Sequence, residues 1–251
     1  MFASLKDLEL YYEIHGAGKP LVLIHGGGST IQSTFGKILP YLSASFQVIA
    51  VEMQAHGRTK DNGRPLTFEQ DADYMAALLA HLGISKASFL GFSNGATTAL
   101  QIGIRHKQLV DKLVLVAALF QRGGMPPGFF DGFNNATLDH MPARLQSAFL
   151  DVNPDRQALQ TMFERDVERM KAFKDIDEAL IKSIEAPTLV LQNDNDVIQN
   201  EHAVKLFRLL PESRLAIFPG IHGECIGEVT TPVTQGQLNY TVELITEWVN
   251  D

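Results

Sequence analysis

The sequence predicts an α/β fold: a mostly parallel sheet covered by helices on both faces and interrupted by one helical insertion. Three observations predict it. Short apolar runs recur along the chain at Leu21 to His25, Val48 to Glu52, Ala87 to Phe92, Lys112 to Leu119, Thr188 to Gln192 and Arg214 to Phe218. They are nearly continuous rather than alternating, as strands buried on both faces of a parallel sheet must be. Segments of helical period separate them, and strands that alternate with helices form right-handed crossovers. The alternation breaks once, between Phe120 and about Ile184, where no strand pattern occurs.

In chain order, Leu8 to Ile14 is rich in strand formers and stops at Gly16, Gly18 and Pro20, which reads as an edge strand. Thr67 with Gln70 has the spacing of a capping box; Met75, Leu78, Leu79 and Leu82 then share a helix face that Gly83 ends. In the interrupted region Leu159, Phe163, Val167 and Met170 mark a helix, and Leu238, Val242, Ile245 and Val249 mark the last one. The expected organisation is one domain over residues 1–251, with a core of 1–119 and 185–251 and a helical cap of about 120–184. A cap inserted there sits over the carboxyl ends of the strands, where open α/β sheets bind ligands.

Of the 251 residues 45% are hydrophobic, enough for one large core, and the formal net charge is -8. That charge is a poor match for nucleic acid or an anionic membrane, and points to a small uncharged partner. Cys225 is the only cysteine, so no internal disulfide forms. Lys6 and Asp7 interrupt the apolar start, which argues against a signal peptide and for a cytoplasmic protein. The longest apolar run, Leu113 to Phe120, is far short of the ~20 residues a membrane helix needs.

Gly91-Phe92-Ser93-Asn94-Gly95 lies between a strand and a helix pattern. This is G-x-S-x-G in the context that forces the serine into a sharp turn and exposes its hydroxyl. The same turn places the Asn94 N–H at a helix amino terminus, aimed at a developing oxyanion. A serine hydroxyl needs a base, and the base needs an orienting acid. His222, in a glycine-flanked loop after the last strand pattern, is the candidate base; His15, His81, His106, His140 and His202 have plainer places in turns, helices or the cap. The acid is Asp196 or, as the alternative, Asp194; Asp196 is favoured because it stands further from the strand end. His25-Gly26-Gly27-Gly28 offers a second oxyanion N–H, from Gly27 with Gly28 as the alternative.

No cofactor or metal is expected. The glycine loop lacks the Lys and Ser/Thr of a P-loop and the spacing of a dinucleotide fingerprint, and the loop of Asp194 and Asp196 lacks the glycine and closing glutamate of an EF-hand. Met125, Phe129, Phe130, Phe133, Met141 and Phe149 make the early cap apolar; they form its own core or line a pocket for an uncharged group. Cys225 reads as a small buried hydrophobe.

Together these residues resemble the α/β-hydrolase superfamily over almost the whole chain, with Ser93, Asp196 and His222 in its nucleophile, acid and base order. Glu52-Met53-Gln54-Ala55-His56-Gly57-Arg58-Thr59 also looks like its D-x-R-G-x-G-x-S segment, usually structural, with departures at Glu52, Gln54, Ala55 and Thr59. Within the superfamily the chain is most similar to small capped serine esterases, enol-lactonases and cofactor-free perhydrolases. Haloalkane dehalogenases and epoxide hydrolases carry an aspartate where Ser93 stands, so the resemblance does not extend to their chemistry. It implies a serine hydrolase acting on a small ester or lactone through an acyl-enzyme. Perhydrolases, C–C bond hydrolases and non-catalytic ligand-binding proteins of the same fold share the triad.

Overall fold

A computed structural model describes residues 1–251. Its strands are β1 (Phe2–Leu5), β2 (Leu8–His15), β3 (Pro20–Ile24), β4 (Gln47–Glu52), β5 (Ala87–Phe92), β6 (Val110–Val116), β7 (Thr188–Asn195) and β8 (Ser213–Ile221), ordered β1-β2-β4-β3-β5-β6-β7-β8 in one sheet. All pairings are parallel except β1 with β2 and β2 with β4. The helices are α1 (Ile31–Phe35), α2 (Leu39–Leu42), α3 (Phe68–His81), α4 (Asn94–Arg105), α5 (Ala143–Val152), α6 (Arg156–Ala172), α7 (Glu178–Lys182), α8 (Asn200–Leu209) and α9 (Gln235–Asn250).

The edge of the sheet differs from expectation. The segment from Leu8 is flanked on both sides, and the edge strand is β1, whose Phe2 pairs with Tyr11. Only Ala3 and Leu5 of β1 are buried, so it has the alternating pattern of a half-covered strand. A search for continuous apolar runs passes over it.

The interior strands explain the double cover. Leu21 and Leu23 of β3 pack in one cluster with α1 and with Leu238, Ile245 and Val249 of α9. Val22 and Ile24 pack in the other with Met75 and Leu78 of α3, Leu100 of α4 and Leu206 of α8. Successive residues of a strand point to opposite faces, so each interior strand feeds both layers. Each fully buried Leu or Ile contributes about 1.5–3 kcal/mol relative to exposure. At the start of α3 the Thr67 hydroxyl accepts the Gln70 N–H at 3.1 Å, one arm of the expected capping box, and Gly83 closes the helix at φ +69°.

The helical insertion between β6 and β7 is shorter than the periodicity implied. The Ile176 N–H donates to the Phe120 carbonyl at 2.8 Å and closes a neck. Beyond it Ile176, Ile181 and Ile184 join the main core beside α4 and α8, so α7 covers the sheet. Helical period alone does not tell which layer a helix joins. Before the neck, Ala55 from the core with Met141, Phe149, Leu159 and Met162 from the insertion form a separate small cluster. No helix of the protein is long and apolar enough to cross a membrane.

Candidate active site

Ser93 joins β5 to α4 with φ 53° and ψ −118°, a conformation that costs a non-glycine residue on the order of 1–3 kcal/mol. Its neighbours explain how the turn closes. A Cβ on Gly91 would collide with the Gly95 carbonyl, and one on Gly95 with the Ile24 carbonyl, so helix and strands meet backbone to backbone. The Ser93 N–H is anchored to the Val116 carbonyl of β6 at 2.9 Å. Asn94 is the first residue of α4, and its N–H has no carbonyl to meet within the helix.

The loops after β7 and β8 bring Asp196 to His222, with Nδ1 2.8 Å from Oδ1. The Asp196 side chain is wholly buried while His222 is 32% exposed, so the imidazole is the end that meets the cavity. Asp196 Oδ1 also accepts the Ile198 N–H at 2.9 Å, which fixes the carboxylate plane. Asp194 turns the other way and accepts the Gly220 N–H at 2.9 Å, tying the ends of β7 and β8 together. Phe92 packs against the His222 ring at 4.7 Å between centroids.

Ser93, Asn94 and His222 line a cavity of about 320 Å³ whose opposite wall comes from the insertion. Met125, Phe129, Phe133 and Met141 are in that wall, with Leu145 and Phe163. Phe130 instead stacks on Phe173 beneath the Arg122 guanidinium, and Phe149 is wholly buried in the insertion's own cluster. The two readings of the aromatic residues therefore divide residue by residue. A second cavity, of about 360 Å³, shares Gly27, Ser93 and His222 and extends towards Glu228 and Thr230. His140 also reaches the first cavity, but its Nδ1 accepts the Thr137 N–H in a local turn.

The loop after β3 holds the feature that sequence reasoning missed. Gly28, at φ +65°, donates its N–H to Asp166 Oδ2 at 2.6 Å, and Asp166 is carried by α6 of the insertion. The Gly27 N–H has no partner within the protein. Any Cβ on Gly27 would press on Asn94 Nδ2 at 2.5 Å and Asp166 Oδ2 at 3.2 Å. The same Asp166 oxygen meets His56 Nε2 at 2.9 Å, and its other oxygen is 3.7 Å from Arg169 Nε. Arg169 in turn donates to Asp71 Oδ2 at 3.0 Å, with both side chains almost fully buried. Asp166 falls between Phe163 and Met170 on the apolar stripe of α6, and a charge on an apolar stripe is the one signal that marks it.

The proton positions follow from the partners. His56 Nδ1 faces the Gln54 carbonyl at 2.9 Å and Nε2 faces a carboxylate, so both nitrogens donate and the ring is an imidazolium. Burial opposes that charge, but the charge and hydrogen bond of Asp166 outweigh it and raise the His56 pKa. Burial likewise opposes ionised Asp166; His56, Arg169 and the Gly28 N–H overcome it and hold the carboxyl well below the usual range. His25, 4.9 Å from His56 between ring centroids, goes the opposite way, down to about 3, through burial and then the His56 charge. Neutral His25 uses both nitrogens locally: Nδ1 donates to the Gly26 carbonyl at 2.7 Å and Nε2 accepts the Met53 N–H at 3.0 Å.

Two further expectations concern the surroundings. Glu52 is fully buried and receives the Arg58 Nε, Nη2 and backbone N–H, so this part of the segment serves structure. Cys225 is fully buried, and burial with the nearby Asp196 charge pushes its thiol up to about 12. A protonated buried thiol is inert.

A family model described as alpha/beta hydrolase fold matches residues 19–168. A non-heme haloperoxidase of Rhodococcus erythropolis is 26% identical over 255 residues, which cover 89% of this chain and 93% of the relative. A 2-hydroxy-6-oxo-6-(2'-aminophenyl)hexa-2,4-dienoic acid hydrolase of Metapseudomonas resinovorans is 24% identical, covering 87% of this chain and 82% of its own. The enol-lactonase from Burkholderia xenovorans LB400 superimposes with a TM-score of 0.80 at 18% identity, covering 100% of both chains.

Proposed function

The chain belongs to the α/β hydrolase fold family, and from that premise we propose that it is a serine hydrolase cleaving a small uncharged carboxylic ester or lactone. Ser93 is the nucleophile, His222 the general base and Asp196 the group that orients it. The single observation that carries this reading is the strained Ser93 opening, with the buried-carboxylate histidine, onto one apolar cavity.

The chemistry runs in two halves. His222 Nε2 takes the Ser93 proton as Oγ attacks the carbonyl, and Asp196 stabilises the imidazolium at Nδ1. The N–H groups of Gly27 and Asn94 receive the oxyanion, each contributing about 3 kcal/mol if aligned. The tetrahedral adduct collapses, the alcohol leaves with the proton from His222, and an acyl-Ser93 ester remains. Water then attacks, losing its proton to His222, and the acid is released as Ser93 Oγ takes that proton from His222. The two cavities that share Ser93 and His222 give the acyl and alcohol portions separate places.

The cavity wall supports an uncharged substrate. It contains Asp166 but no Lys or Arg, so no fixed positive charge in it pairs with a substrate carboxylate. That distinguishes this chain's preference from the acid named for the Metapseudomonas relative. The haloperoxidase relative motivates a second reading, in which hydrogen peroxide replaces water on the acyl-enzyme and leaves as a peracid.

Labelling with a fluorophosphonate, read by intact mass and peptide mapping, is the test. Modification of Ser93 that S93A and H222A abolish supports the reading, and turnover of esters with and without peroxide then separates the two acceptors. Folded protein that takes no label overturns it and favours a ligand-binding protein of the same fold.

A further inference from the structure

The loop His25 to Gly28 carries three consecutive glycines, and left to itself such a loop has several ways to point its N–H groups. It has one here because a side chain from outside the core holds it. Asp166 reaches from α6 of the insertion and takes the Gly28 N–H at 2.6 Å, the shortest contact in its network. With Gly28 engaged, the Gly27 N–H, which has no partner within the protein, is left beside the cavity for a ligand. The Asp166 carboxylate also lies over Gly27, beside the Asn94 side chain, and borders the cavity that contains Ser93.

A lone carboxylate so near a developing oxyanion would oppose it. This one is balanced on both sides: the His56 imidazole meets the oxygen that binds Gly28, the Arg169 guanidinium stands by the other, and Asp71 lies behind Arg169. The groups facing Asp166 come from the loop after β4, from its own helix and from the loop after β3, so the insertion and the core are joined at the point where the oxyanion forms.

We propose that Asp166 is a positioning residue for the reaction: it holds Gly28 so that the Gly27 N–H faces the cavity, and the oxyanion hole is complete only while the insertion is docked. The proposal rests on the serine-hydrolase reading and adds a residue to it that the sequence motif does not contain. Asp166 takes no proton from substrate and forms no bond to it.

The test compares two inhibitors of one shape, an alkyl trifluoromethyl ketone, which adds Ser93 and forms an oxyanion, and the matching methyl ketone, which binds mainly as the ground-state carbonyl. In D166A the affinity for the trifluoromethyl ketone and kcat for an ester fall together by about 100-fold, the size expected when an oxyanion donor is displaced. The methyl ketone and KM stay within about threefold, since ground-state binding does not use the hole. D166N, isosteric and able to accept the Gly28 N–H without charge, loses about tenfold and serves if alanine does not fold. Equal weakening of both ketones, or no change in kcat in a folded variant, overturns the proposal. Wild-type protein that binds neither the trifluoromethyl ketone nor a fluorophosphonate overturns the hydrolase reading, and this inference with it.

Discussion

Two histidine–aspartate pairs border the same cavity and present opposite ends to it. In one, His222 is 32% exposed and Asp196 is wholly buried; in the other, His56 is 1% exposed and Asp166 13%. The separations are nearly equal, 2.8 Å and 2.9 Å. The difference teaches that the residue pair does not set the role; the end left open does. An imidazole facing the cavity can pass a proton to a substrate. A carboxylate facing it, with its imidazolium sealed behind, can only accept hydrogen bonds, and here it accepts one from the backbone.

The largest expected effects are at Ser93 and His222. S93A and H222A are each expected to reduce kcat for an ester by about 10⁴- to 10⁶-fold with folding intact, measured by single-turnover acylation. H56Q, by contrast, leaves a measurable rate, and loss of activity equal to that of H222A would show the two pairs to be equivalent. Next in size, D196N is expected to cost about 10⁴-fold because it leaves His222 in the wrong tautomer. D194N, which changes only the carboxylate that ties the ends of β7 and β8, is expected to stay within about tenfold, and steady-state rates of the two variants side by side settle which acid serves.

The pairs also part in their pH dependence. Asp166 has a depressed pKa, so its stabilisation is present above the unfolded value of about 3.9 and is lost as pH falls through the native one. His56 has a raised pKa, so its stabilisation is full below about 6.5 and is lost as pH rises through the native value. The Asp166–His56 contribution is therefore greatest between about pH 4 and 6.5. Denaturant unfolding of wild type and H56Q across pH is expected to show a stability gap that closes on the alkaline side; a gap that widens there would contradict an imidazolium at position 56. The smallest effect belongs to the wall. F163A should raise kcat/KM for longer acyl chains by about threefold to tenfold, with little change for acetyl esters.

What the sequence makes legible follows from how local each constraint is. The interior strands are readable because both faces are buried, as in Leu21 to Ile24, whereas β1 hides because only Ala3 and Leu5 are covered. Ser93, Asp196 and His222 are readable as positions because each follows the end of a strand, where the backbone itself fixes the place. The contact of His56 with Asp166 spans 110 residues and has no motif. Its only local trace is an acidic residue on the apolar stripe of α6. The insertion's end at Ile176 was equally hidden, since a neck made by one long-range backbone hydrogen bond leaves no periodic mark.

The backbone contacts of Gly91 and Gly95 have a consequence for how such a protein changes over generations. Where a single added methyl group meets a carbonyl oxygen of the adjoining helix or strand, drift has almost no admissible step. The facing wall is made of side chains such as Phe129, Phe133 and Phe163, and the insertion behind it keeps its own small cluster around Phe149. Phe163 packs on that cluster, so its exchange spares the core of the sheet, against which Phe129 and Phe133 rest. Inherited variety in substrate choice should therefore accumulate on one side of the cavity only, with the other passed on almost unaltered.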